Sequence, residues 1–270
     1  MIRRVVLVTA AALAACGGGN EASDYAATRT AADGLERQLS IVTDSAATAA
    51  IEAIGSSLVA ASGPTEHPWR FRLVRDTTLN AFALPGGFVY VHTALVRAAH
   101  DVDELAGVLG HEVAHARLRH GAKQQDQQTA GAVVISLFCG LSGWCDGALV
   151  QTAIRVGASA AMAKYSRADE LQADSAGLLF SAQAGYDPRG IIRFFETLKA
   201  EKGPGSAALE FLQSHPMEET RIARAKAMLP AGRPTALAPA ELRAAFEVLQ
   251  RAVSASRVLP ATTPDTSARD

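Results

Sequence analysis

The sequence is short of cysteine and of net charge, and its N-terminal apolar run is short. Three cysteines occur in 270 residues. The first, Cys16, closes an N-terminal leader, so only Cys139 and Cys145 remain to pair with each other. A formal net charge of −1 sets up no basic field, which removes nucleic acid from the list of partners. No internal repeat is present. The stretch after Arg221 is too short for a helical repeat array, which needs about three units to be stable. The apolar run Val5–Ala15 is likewise too short to span a membrane.

What is present begins with that leader. Arg3 and Arg4 precede the apolar run, and Leu13-Ala14-Ala15-Cys16 follows with small residues leading to a cysteine. The segment resembles a bacterial lipobox, which implies cleavage after residue 15 and lipidation of Cys16. An ordinary secretory signal with an incidental cysteine is the other reading. Gly17 after the cysteine, by resemblance to lipoprotein sorting rules, favours the outer membrane over the inner one. The expected organisation is a signal peptide over 1–15, a lipidated tether over 16–23, one domain over 24–256 and a disordered tail over 257–270. Export supplies an oxidising setting, and the glycines between Cys139 and Cys145 can turn the chain back, so a disulfide is expected there. Two reduced, buried cysteines are the alternative.

The remainder has ordinary globular composition, with 49% hydrophobic and 20% charged residues. Apolar residues at helical intervals between Asp24 and Ser62 predict two helices, stopped by Gly63-Pro64. Trp69–Asp76 alternates apolar and basic side chains, the period of a half-buried strand. Asn80–Leu84 and Phe88–Val91 flank Pro85-Gly86-Gly87 and read as two further strands around a turn. A small antiparallel sheet is the simplest assembly. Helices are expected from Asp101, which with Glu104 forms a capping-box pattern, to Gly121, and from Ser166 to Ala184. Others follow near Ile191–Lys199, Pro216–Met228 and Pro239–Ser256. Gln127–Cys145 carries no charge and just reaches membrane-spanning length. Four glycines from Gly131 to Gly147, and the lack of flanking positive clusters, favour a soluble helical hairpin instead.

The chemistry is concentrated in His111-Glu112-Val113-Ala114-His115. On a helix the two histidines lie on one face and can reach one metal, while Glu112 can touch a water on it. Zinc suits two imidazoles and a carboxylate, with a fourth position open. Glu170 is the best candidate for the carboxylate, and Asp174, one turn later, could orient a ligating imidazole. Spacing alone leaves a solvated acidic helix face paired to Arg167 equally open. His67, His92, His100 and His120 show no metal-like spacing, and His120 suits a helix C-terminus.

Four stretches together decide between these readings: Asn80–Val91 (NAFALPGGFVYV), Glu104–His120 around HEVAH, Ser166–Pro188 (SRADELQADSAGLLFSAQAGYDP) and His215–Ile222 (HPMEETRI). They resemble, in order, the bacterial zinc metallopeptidase family that includes the HtpX-type and BepA-type proteases, related to CAAX-prenyl and mitochondrial Oma-type enzymes. The resemblance implies an α+β, mainly helical, gluzincin-like domain with the small sheet beside the HExxH helix. It implies one zinc ion per chain, held by His111, His115 and Glu170, with Glu112 as base and Asp174 in a functional role, often that of proton donor. For His215 it leaves two readings: a fourth ligand in a closed state, or an active-site neighbour. For Arg221 it favours an oxyanion-stabilising role over a structural salt bridge. The strand Asn80, Ala81, Phe82 and Ala83 is expected to border the cleft and pair with an extended substrate. The expected function is an endopeptidase acting on unfolded or misassembled envelope proteins, held at the membrane through the lipid on Cys16.

Overall fold

Phe88–His92 is buried on both faces, and that fixes the sheet. The computed structural model describes residues 21–124, 165–200, 211, 215–216, 219–229 and 238–255. Cys16 and the leader, the apolar segment with Cys139 and Cys145, and the expected tail lie outside the described residues. The described strands are β1 (Arg70–Val74), β2 (Ala81–Leu84) and β3 (Phe88–His92). The helices are α1 (Glu21–Glu36), α2 (Ser45–Ala61), α3 (Thr93–Ala98), α4 (Val102–Arg117), α5 (Arg167–Gln183), α6 (Gly190–Ala200), α7 (Glu219–Met228) and α8 (Ala240–Ala255). Helix α1 begins at Glu21, the first described residue. Among the described residues, no helix is long and apolar enough to cross a membrane.

The strand order is β1-β3-β2. β2 and β3 form the expected antiparallel hairpin, but β1 joins β3 in parallel. The sheet is therefore mixed, a correction to the all-antiparallel expectation. The reason is burial: β3 has apolar side chains on both faces and takes the centre, while the arginines of β1 keep it at an edge. Residues 40–42 then run along β1, with Val42 N–H donating to Leu73 O and Arg75 N–H to Ser40 O. That covers one edge, and β2 forms the other.

Strand alternation sorts the two sheet faces. Phe71, Leu73, Ala81, Val89 and Val91 point into the main core with Ile51, Ile54 and Leu58 of α2 and Leu105, Leu109 and Val113 of α4. Each such aliphatic or aromatic burial stabilises by roughly 1.5–3 kcal/mol. The opposite face, with Phe88, Tyr90, Phe82 and Leu84, is covered by Tyr25, Ala32 and Leu35 of α1. Arg70 on that face pairs with Asp33 and Glu36 at 2.7 and 3.1 Å. Gly86 (φ 81°) and Gly87 (φ 83°) make the hairpin turn in the left-handed region. Gly86 also lies so close to Tyr25 that a Cβ would come within 2.4 Å of its Cα.

Helix α4 is buried nearly all round, and its start is built as the sequence suggests only in part. The Asp101 carboxylate accepts from Glu104 N–H at 2.9 Å. The reciprocal bond is absent, because the Glu104 carboxylate accepts from His100 N–H instead. The complete capping box is at α5, between Ser166 and Asp169.

Candidate metal centre

His111 and His115 sit one turn apart on α4, and α5 crosses them closely. Small residues make the crossing tight: a Cβ on Gly177 would lie 2.9 Å from the His111 nitrogen. That contact brings Glu170 and Asp174 of α5 against the two histidines, both acids being buried. His215, preceding α7, completes the cluster.

The donor atoms converge. His115 Nε2 is 3.0 Å from His111 Nε2, which is 3.2 Å from His215 Nδ1. The Glu170 carboxylate lies 3.0 Å from His215 Nδ1, 3.4 Å from His115 Nε2 and 3.6 Å from His111 Nε2. Four ligands held about 2.0–2.1 Å from a tetrahedral zinc stand roughly 3.3 Å apart. These five separations, 3.0–3.6 Å, are close to that value, with Glu170 reaching His115 and His215 through Oε1 and His111 through Oε2. Both Glu112 carboxylate oxygens are buried beside them without a close hydrogen bond, Oε1 lying 3.4 Å from His215 Nε2. A buried carboxylate in that condition is costly unless a cation is near. The three nitrogens and one carboxylate oxygen therefore fit zinc.

The electrostatics are consistent with these roles. Burial lowers the His115 pKa well below the usual imidazole value, keeping the ring neutral with a lone pair to give. Burial raises Glu112, opposed by His215 and His111 and by the main chain of Ala83, and the net direction is up, toward a group able to hold a proton. For Asp174 burial also pushes upward, but the bonds from Arg221 and His111 outweigh it and hold the carboxyl low. Asp174 Oδ1 lies 3.0 Å from His111 Nδ1, the nitrogen turned away from the cluster.

Arg221 is engaged on all sides. Its Nε and Nη2 donate to the two Asp174 oxygens at 2.7 and 2.6 Å, and Nη1 donates to Pro216 O at 3.0 Å and lies 2.5 Å from Glu170 Oε2. Such a bidentate clamp is the geometry of a structural salt bridge, the other reading of Arg221. Of the strand expected to border the cleft, Asn80 and Ala81 are buried, and the Asn80 carbonyl accepts from His92 N–H. Phe82 stacks on Tyr90 on the α1 face of the sheet. Ala83, on the other face, lies next to Glu112.

Two neighbours of the site are not assigned to it from the sequence. Tyr165 stacks on His115 with ring centroids 3.9 Å apart. His120, expected only to favour a helix end, is buried with its Nδ1 3.0 Å from His115 Nδ1. The signal for Tyr165 was its place immediately before the Ser166 cap of the helix that carries Glu170. The other histidines are elsewhere: His67 stacks between Tyr25 and Trp69, His92 bonds Thr78, and His100 bonds Glu104.

Residues 45–229, well over half of the chain and including every residue of this cluster, match the family described as Peptidase family M48. The chain belongs to peptidase family M48. It is similar to a putative beta-barrel assembly-enhancing protease of Vibrio cholerae, 31% identical over 211 residues, which are 76% of this chain and 44% of that protein. The beta-barrel assembly-enhancing protease of Escherichia coli is 29% identical over 192 residues, 69% of this chain and 39% of the relative. The mitochondrial metalloendopeptidase OMA1 of Schizosaccharomyces pombe is 32% identical over 176 residues, 64% of this chain and 50% of the relative. The aligned part thus makes up half or less of these relatives.

Proposed function

We propose that this M48 chain is a zinc-dependent endopeptidase of the bacterial envelope, in which His111, His115 and Glu170 hold the metal. The observation that carries the reading is the convergence of three buried imidazoles and a buried carboxylate, their donor atoms within 4.8 Å of one another, with the buried Glu112 carboxylate beside them. Zinc bound there supplies a Lewis acid for the scissile carbonyl and acidifies a water. Glu112 takes the proton of the attacking water and delivers it to the departing amine as the C–N bond breaks. Asp174 steadies His111, and Arg221 holds Asp174 and Glu170 in place. The outer edge of β2 next to Glu112 offers main-chain groups to an extended peptide, which favours unfolded or misassembled protein as substrate. The names of the bacterial relatives, which refer to β-barrel assembly, support an envelope setting. Lipidation at Cys16 would hold the chain at the periplasmic face, in the outer membrane by the Gly17 criterion. Incorporation of a palmitate analogue that disappears in Cys16→Ala checks the anchor, and equal labelling of both proteins would remove it.

His215 supports a second reading of the same site. Its Nδ1 lies among the candidate donors, and a fourth ligand there would close the site, as in a resting enzyme or in a binding module without turnover. Casein cleavage by the full mature chain, with bound zinc quantified, tests the function. The wild type should cut, while Glu112→Gln keeps its zinc and loses roughly 10²–10⁴-fold in rate. If both hold zinc and neither cuts, His215→Ala decides: renewed cleavage means a resting enzyme, and none means a binding module.

A further inference from the structure

Helix α4 ends at Arg117, yet the chain returns His120 to its own metal-facing side. Residues five apart on a continuous helix stand about 140° apart around the axis, so His120 could not meet His115 if α4 simply continued. The break is at Arg119, whose φ of 58° is the left-handed conformation and the one positive φ outside glycine among the described residues. A side chain there costs on the order of 1 kcal/mol or more and persists only where its surroundings fix it. Asp24 of α1 does so, accepting from Arg119 Nε at 2.5 Å and from Nη2 at 2.8 Å.

The result is a chain of nitrogens and oxygens behind the ligand. His115 offers Nε2 to the cluster, so in the neutral ring the proton sits on Nδ1. The acceptor within reach of that N–H is His120 Nδ1 at 3.0 Å. His120 must then carry its own proton on Nε2, which faces Gln172 Oε1 at 3.3 Å and Asp169 Oδ1 at 3.6 Å. Gln172 and Asp169 are on α5, the helix that carries Glu170. Metal-bound imidazoles usually place this second N–H on a carboxylate or carbonyl. Here the partner is a second imidazole, buried and held by a strained turn.

We propose that His120 is a positioning residue for the metal: it fixes the tautomer and ring angle of His115 and ties that ligand to α5. The inference rests on the zinc-peptidase reading above. Its test is zinc affinity measured by competition with a chromophoric chelator, using the full mature chain and recording the metal-free unfolding midpoint of each protein. His120→Ala should bind zinc about 10–100-fold more weakly. His120→Asn, whose amide oxygen can stand near the lost Nδ1, should recover most of that. In the zinc-loaded wild type, NMR should show a proton on His115 Nδ1 in slow exchange. Equal affinity of His120→Ala and wild type overturns the proposal, as does His120→Asn binding no better than His120→Ala. If His120→Ala does not fold, the Asn variant and the wild-type His115 proton decide: a tenfold loss in the former, or rapid exchange of the latter, is equally fatal. A wild type that binds no zinc removes the peptidase reading as well, so the two failures are distinguishable.

Discussion

Arg221 places nearly all of its donors on two acids and a carbonyl, and those acids are the ones facing His111 and His115. Its removal leaves Asp174 and Glu170 buried without their cation. Breaking a buried pair in this way costs about 3–5 kcal/mol. Arg221→Ala should therefore lose that much in metal-free denaturant unfolding, with part regained when zinc is added, since the metal compensates Glu170. A metal-free loss under about 1 kcal/mol would show that the guanidinium does not hold the acids. At this scale, His111, Glu112 and His115 were legible because the spacing needs only one regular helix. Glu170 and Asp174 were not fixed by spacing, since a solvated acidic face has the same period. Arg221 was named but its partners were not, because a guanidinium's partners depend on where α7 docks. His120 was invisible for a sharper reason: its contact depends on one left-handed residue, and arginine does not announce that conformation.

The pairing of α4 with α5 rests on glycine where the helices touch. Adding a methyl at Gly177 would meet the main chain of Gly110 and His111 at about the closest distance atoms allow, 2.9–3.1 Å. Gly177→Ala should destabilise by about 1–3 kcal/mol through overpacking. Because Glu170 rides on α5, zinc affinity should fall with stability in the same variant. Unchanged zinc binding in a destabilised Gly177→Ala would mean that the ligand geometry does not depend on this crossing. The helices and strands themselves were legible from periodicity, caps and the Pro-Gly-Gly turn. The order of strands was not. Alternation along β1 and β3 says which face each side chain takes, but which strand becomes central depends on how much each can bury on both faces at once.

At the scale of the molecule, the family match and the folded unit have different limits. The match runs over residues 45–229, while α1 lies before it and α8 after it. Both are part of the interior: Ala32 of α1 is fully buried over the sheet, and Leu249 and Val253 of α8 belong to the main core. The sequence indicated both helices by their apolar spacing, though not that one would cap the second face of the sheet. That coverage sets where the chain can be cut. A fragment trimmed to 45–229 would present Phe88, Tyr90, Phe82 and Leu84 to solvent as a contiguous apolar sheet face, the kind of surface that drives self-association. It should elute as aggregate or be insoluble on expression, whereas 21–255 should elute as a well-defined species by size-exclusion chromatography. A monodisperse 45–229 fragment would contradict this. The same trimming removes Asp24 and with it the brace on Arg119, so the shortest segment recognisable as a peptidase is not the shortest segment that can be expected to work as one.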